Sequence, residues 1–190
     1  MLAALRGPGV ILLGAVGLAL GLLYSLPGAQ LSARGVGEVA VALGLGVLPV
    51  LGSVWLQTGF VDSGAILLCV TVSCWVAAIL IINEVPDVES DRLANKRTLV
   101  VRWGAAGAPL FYRGLTVIAL AASVARHALP MWYLIPAVVL ATLGMVAAHR
   151  ISMDSAARPR LKRGIELTLL AIQALGCIAM GVALLLQRFA

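Results

Sequence analysis

From Ser63 to Ile82 the chain reads S-G-A-I-L-L-C-V-T-V-S-C-W-V-A-A-I-L-I-I, twenty residues without a charge. A helix of about 20 apolar residues is what it takes to cross a hydrocarbon core. Six such runs occur, at 8–26, 36–56, 62–82, 105–125, 129–149 and 165–187, each rich in Leu, Val, Ala and Ile and bounded by a charge, a proline or a glycine pair. Lipid cannot satisfy free backbone N–H and C=O groups, and the runs lack the alternation of a barrel strand, so helices are the reading that remains. Composition agrees. The chain is 62% hydrophobic and 12% charged, whereas soluble domains carry roughly 25% charged residues. The expectation is an all-α integral membrane protein, one domain over 1–190 with six transmembrane helices. The first run has only Arg6 before it, and Tyr24-Ser25-Leu26-Pro27 makes a poor cleavage site, so it reads as a retained span rather than a secretory signal.

Basic residues orient the spans. With six alternating helices, the loops 24–35, 83–104 and 150–164 share a side and hold ten Lys or Arg residues. The other side holds Arg6, Arg126 and Arg188. The positive-inside rule makes the first side cytoplasmic and puts both termini outside, in the cytoplasmic (inner) membrane. The net charge of +6 is then a topogenic signal with affinity for anionic lipid, and no nucleic-acid partner is needed. Cys69, Cys74 and Cys177 lie inside apolar runs without C-x-x-C spacing and read as packing residues.

Against this background one segment stands out. Residues 83–98 read N-E-V-P-D-V-E-S-D-R-L-A-N-K-R-T, with four of the eight acidic residues (Glu84, Asp87, Glu89, Asp91) inside eight positions. If the third helix continues past the membrane surface, bent at Pro86, then Asn83, Asp87 and Asp91 recur at i, i+4, i+8 on one face. Stacked carboxylates repel unless a cation lies between them. Mg²⁺ suits, since it takes one or two carboxylates and completes its shell with water and phosphate oxygens. Lys96 and Arg97, just downstream, suit phosphate oxygens. A solvated juxtamembrane charge cluster is the plainer alternative.

The words around these acids are more specific. Asn83-Glu84-Val85-Pro86-Asp87, then Asp91, then Asn95-Lys96-Arg97-Thr98-Leu99-Val100-Val101-Arg102 and Gly104 resemble the second aspartate-rich motif of the UbiA-type intramembrane aromatic prenyltransferases. The branch most resembled prenylates dihydroxynaphthoate on the menaquinone pathway. Upstream, Tyr24-Ser25-Leu26-Pro27, Leu31 and Arg34-Gly35-Val36-Gly37-Glu38 are similar to the loop after that family's fourth helix, and Leu51-Gly52 with Gln57-Thr58-Gly59 to the end of its fifth. The specific similarity covers about residues 20–104; elsewhere only hydropathy agrees. Gly28 stands where the family has the second residue of a Pro-Pro pair, and where some relatives place a lysine.

The resemblance implies a nine-helix bundle in which the six runs are helices 4–9. Two aspartate-rich motifs would hold Mg²⁺ against the diphosphate of a polyprenyl donor. By resemblance Asp87 and Asp91 are metal ligands, and Asn83, Lys96, Arg97, Arg34 and Tyr24 are substrate-binding residues. Tyr24 would offer a π-face to an allylic cation, although an interfacial aromatic belt explains a tyrosine there equally well. Lys96 and Arg97 are alternatively a topogenic pair. No catalytic nucleophile is assigned.

The family's first motif, N-x-x-x-D-x-x-x-D, has no counterpart, since the other acids are Glu38, Asp62, Asp154 and Glu166. The chain is therefore expected to be inactive alone and to need that motif from an N-terminal fragment or a second chain. Glu38 is expected to pair with Arg34 at i, i+4, and Arg113 to snorkel. The function implied is Mg²⁺-dependent transfer of a polyprenyl group to an aromatic acceptor, 1,4-dihydroxy-2-naphthoate favoured. The rival is a non-catalytic membrane subunit or lipid-binding scaffold derived from such an enzyme.

Overall fold

A computed structural model of the chain describes residues 7–104, 107–125 and 146. Helix α1 spans Gly9–Ser25 and is followed by a single 3-10 turn at Leu31–Ala33. Helices α2 (Gly37–Thr58) and α3 (Ser63–Glu84) form a hairpin. Two short helices, α4 (Val88–Leu93) and α5 (Leu99–Trp103), then lead into α6 (Ala108–Ala125). Among the described residues there is no strand.

Helices α2, α3 and α6 are each long and apolar enough to cross a membrane. Helix α1, at 17 residues, sits at the short end of the spanning range. These four helices match the first four apolar runs to within a few residues. The runs 129–149 and 165–187 lie outside the described residues, apart from helical Val146.

Local chemistry sets the ends. Asp62 caps α3 by accepting the Ala65 N–H at 2.7 Å, and Gly59 closes α2 in the left-handed region, φ 83°, its N–H on the Trp55 carbonyl. Within α2 the turns over Ala42–Val47 widen to π geometry. Pro49 follows one residue beyond, after Leu48. It lacks an N–H and its ring presses on the carbonyl four residues back, and a wider turn relieves that pressure.

Helix α3 is the hub, packing chiefly on α6 and on the π segment of α2. Lipid tails are as apolar as leucine, so small residues and shared polar atoms do the joining here. Ala77, Ala78, Ala119 and Ala122 are buried, and Thr71 of α3 reaches the Ala119 carbonyl at 3.4 Å and the Ser123 hydroxyl at 3.3 Å on α6. On the α2 side a Cβ at Gly46 would overlap Ser73, whose Cα lies 2.6 Å from that position. The apolar core is displaced to one end of the bundle, where Ile81, Ile82, Val85, Val88, Val100, Ala108 and Tyr112 pack together. That core is the floor beneath the charged segment.

Candidate functional site

The third helix does not carry the acids as one continuous stripe. Helix α3 stops at Glu84, a turn follows over 85–87, and α4 starts at Val88. Pro86 has no N–H to continue the ladder, so the chain tightens to three-residue closures: Val85 N–H to Ile82 O at 3.3 Å and Asp87 N–H to Glu84 O at 3.1 Å. Asn83 is left exposed at the end of α3, while Asp91, only 9% exposed, sits on the inner side of α4. Asp87 precedes α4, and its carbonyl accepts the Asp91 N–H at 2.8 Å. The two aspartates thus stay one turn apart, on a helix of their own.

The end of α4 folds the basic residues back onto the acids. Asn95 takes the left-handed conformation, φ 57°, its N–H on the Arg92 carbonyl at 3.1 Å, and the Lys96 N–H reaches the Asp91 carbonyl at 2.9 Å. This is the paired closure of a Schellman motif. It brings the Lys96 ammonium to 2.8 Å from Asp91 Oδ1. That hydrogen bond, with the charges of Asp91, Asp87 and Glu84, raises the Lys96 pKa against a smaller opposing cost of burial.

A second loop is tied to this one. Arg97 N–H donates to the Ala33 carbonyl at 2.7 Å, Arg102 Nη2 to the Arg34 carbonyl at 2.7 Å, and Leu99 N–H to Glu38 Oε1 at 3.0 Å. Gly35, at φ +73°, permits the contact: a Cβ there would lie 2.5 Å from the Arg97 carbonyl oxygen and 2.9 Å from Arg102 Nε. The segment between α1 and α2 and the segment between α4 and α5 therefore form one clasped rim.

Glu38 is where expectation and structure part. Instead of pairing with Arg34 it is 3% exposed, turned to Leu99, with its carboxyl against that of Glu84. Arg34, which is exposed, instead donates to the Gly28 carbonyl. The reason is geometric. Glu38 lies in the first turn of α2 and faces inward, whereas Arg34 precedes the helix and is held by its own loop.

Of the expected substrate residues, Lys96 meets Asp91 directly, and the Tyr24 ring lies 3.5 Å from where a Cβ on Gly37 would stand, one residue before Glu38. Arg97 joins through its backbone and is exposed, and Arg113 is exposed on α6. Three participants went unassigned from sequence. Glu84 stands in the sequence only as one of the clustered acids. Thr98 caps α5 through the Val101 N–H at 3.3 Å and meets the Glu84 carboxyl. Arg102 ties the loops. Only Thr98 carried a signal, a threonine directly before a short apolar helix.

The donor set suits a hard cation in part. Asp87 and Asp91 offer carboxylate oxygens on adjacent turns, and among the described residues no group of three or more His, Cys, Asp or Glu residues is placed to hold a metal ion. A Mg²⁺ here would take its remaining ligands from phosphate and water, its usual habit.

The profile of the UbiA prenyltransferase family matches residues 1–172. The chain belongs to the UbiA prenyltransferase family. The match reaches well beyond the 20–104 segment that carries the motif resemblance. Among UbiA relatives, 1,4-dihydroxy-2-naphthoate octaprenyltransferase of Mycobacterium leprae is 34% identical over 116 residues, covering 61% of this chain and 40% of that protein. The protein of the same name from Mycobacterium tuberculosis is 29% identical over 185 residues, 95% of this chain and 63% of that one. Its Escherichia coli namesake is 29% identical over 167 residues, 85% and 54%. The chain thus spans 40% to 63% of the length of these UbiA relatives. No solved structure matches it. Family membership and the apolar helices make it an integral membrane protein.

Proposed function

We propose that this chain is the diphosphate-gripping part of an enzyme that transfers a polyprenyl group to an aromatic acceptor, with 1,4-dihydroxy-2-naphthoate favoured by the names of its relatives. The observation that carries the reading is the fold-back at α4, which sets Asp87, Asp91 and Lys96 on one rim above an apolar core. In this reading Asp87 and Asp91 hold Mg²⁺, and Lys96 and Arg97 take phosphate oxygens. Asn83 and Arg34 flank the headgroup, and Tyr24 offers its ring to the reacting allylic carbon.

Breaking the allylic C–O bond leaves its electron pair on the diphosphate. The acceptor's ring carbon supplies the pair for the new C–C bond, and the group it carried leaves as a proton, or as CO₂ if that carbon bore the carboxylate, returning its bonding pair to the ring. Mg²⁺, when bound, would neutralise charge developing on the leaving group. Lys96 and Arg97 orient that group and share the task electrostatically. The apolar end-core keeps water from the allylic carbon. The rim faces the cytoplasm of the inner membrane, as the basic loops require. The helices correspond to helices 4–9 of a nine-helix bundle, and transfer needs a second acidic motif, in cis or from another chain.

The test is binding of inorganic pyrophosphate to the full chain in lipid nanodiscs, with and without Mg²⁺. Mg²⁺-dependent binding that drops about tenfold or more in Asp87→Asn and Asp91→Asn is expected, as for loss of a charge-assisted contact. Binding indifferent to Mg²⁺ and to both substitutions overturns the proposal and favours a scaffold.

A further inference from the structure

We infer that Glu38 is a positioning residue of the rim, and that it works as a hydrogen-bond acceptor for Leu99 rather than through its charge. The inference rests on the reading of the rim as a diphosphate site, but its geometry stands apart from that reading.

Glu38 belongs to the first turn of α2, and the backbone it holds lies 61 residues further on. Its Oε1 accepts the Leu99 N–H, the first helical amide of α5. Such an amide has no partner within its own helix. The neighbouring Val101 N–H is taken by the Thr98 hydroxyl, so Glu38 and Thr98 together satisfy the start of α5. Lys96 lies three residues before Leu99, between the α4 fold-back and this anchor. Its backbone is therefore fixed at both ends, by Asp91 behind and Glu38 ahead.

The other oxygen explains why charge is not the point. Glu38 Oε2 and Glu84 Oε2 are both buried and neither meets a donor, while the two carboxyls lie against each other with Thr98 beside Glu84. A residue selected for its negative charge would be poorly served beside a second carboxyl, with Asp91 near that carboxyl too. A group needed to accept one amide hydrogen is well served there. A glutamine at 38 retains an acceptor oxygen for Leu99 and brings an N–H₂ that can donate to Glu84. Alanine at 38 removes the anchor and leaves the part-buried Leu99 N–H without that partner.

Amide hydrogen exchange on the full chain in nanodiscs, followed by mass spectrometry, reads this directly. Peptides covering 97–102 in Glu38→Ala are expected to exchange about tenfold faster than in the parent chain. Peptides from the buried α3–α6 interface should be unchanged. Glu38→Gln is expected to restore parent-like protection over 97–102, and parent-like Mg²⁺-pyrophosphate affinity wherever the parent binds. Equal protection in Glu38→Ala and the parent overturns the inference, as does a Glu38→Gln chain as unprotected as Glu38→Ala. Faster exchange throughout α3 and α6 in Glu38→Ala also overturns it, because the residue would then serve the fold at large. If the parent binds no pyrophosphate, the functional proposal fails while exchange still decides the role of Glu38.

Discussion

Helix α1 and the rim of loops beside it lie next to each other in the chain and obey opposite rules. Helix α1 has no buried residue, and Ile11, Leu12 and Leu18 are each about two-thirds exposed. Nothing in an all-apolar helix says which side faces protein, because lipid and leucine are equally good neighbours. The rim, by contrast, buries a glutamate, an aspartate and a threonine, and holds two segments together across more than sixty residues of chain. Polar groups at a membrane surface can be satisfied in few ways, so their partners define a geometry. The comparison teaches that this protein's specificity resides in its backbone amides and carboxylates at one end, while its helices provide a platform.

The largest disturbance should come where a helix glycine meets the backbone of its neighbour. Gly46→Leu forces a side chain into Ser73 and is expected to cost about 3 kcal/mol, the upper part of the overpacking range. Reversible denaturation in bicelles would measure it. It should weaken platform and rim together. Gly35→Ala should separate them. Its left-handed backbone alone penalises a Cβ by about 1–2 kcal/mol, with the Arg97 and Arg102 contacts added. Exchange should rise in 33–38 and 97–102 and stay constant in α3 and α6. The smallest effect belongs to Lys96→Met. That ammonium is well exposed, so its bridge to Asp91 should contribute under about 1 kcal/mol. Because the Lys96 pKa is raised in the folded protein, this contribution is fully present below the unfolded lysine value of about 10.4. It is lost as pH climbs through the raised value. The stability difference between parent and Lys96→Met should therefore be flat from pH 7 to about 10 and shrink above that.

What could be read from sequence follows the same division. The four described long helices were legible because each is a charge-free run of spanning length, a property of composition along the chain. The acidic segment was legible as a cluster, and its family by the words around it. Its shape was not. Pro86 was read as a bend, yet it ends α3, because the turn closes with three-residue bonds and α4 restarts with Asp87 before it. The Glu38–Arg34 pair was a local inference from spacing. Burial of Glu38 against Glu84 and Leu99 depends on where two distant loops meet, and no spacing rule carries that. The tie that Arg102 makes to the Arg34 carbonyl across Gly35 is hidden from spacing for the same reason.

The central claim is that the acids of α4 bring a divalent cation to a diphosphate. Mn²⁺ in place of Mg²⁺, with pyrophosphate and the full chain in nanodiscs, allows the metal–phosphorus hyperfine coupling to be recorded by pulsed electron paramagnetic resonance. The account predicts a protein-bound Mn²⁺ coupled to ³¹P, lost in the Asp87→Asn/Asp91→Asn double variant. A parent chain showing no such coupling, or a double variant showing it undiminished, would contradict it.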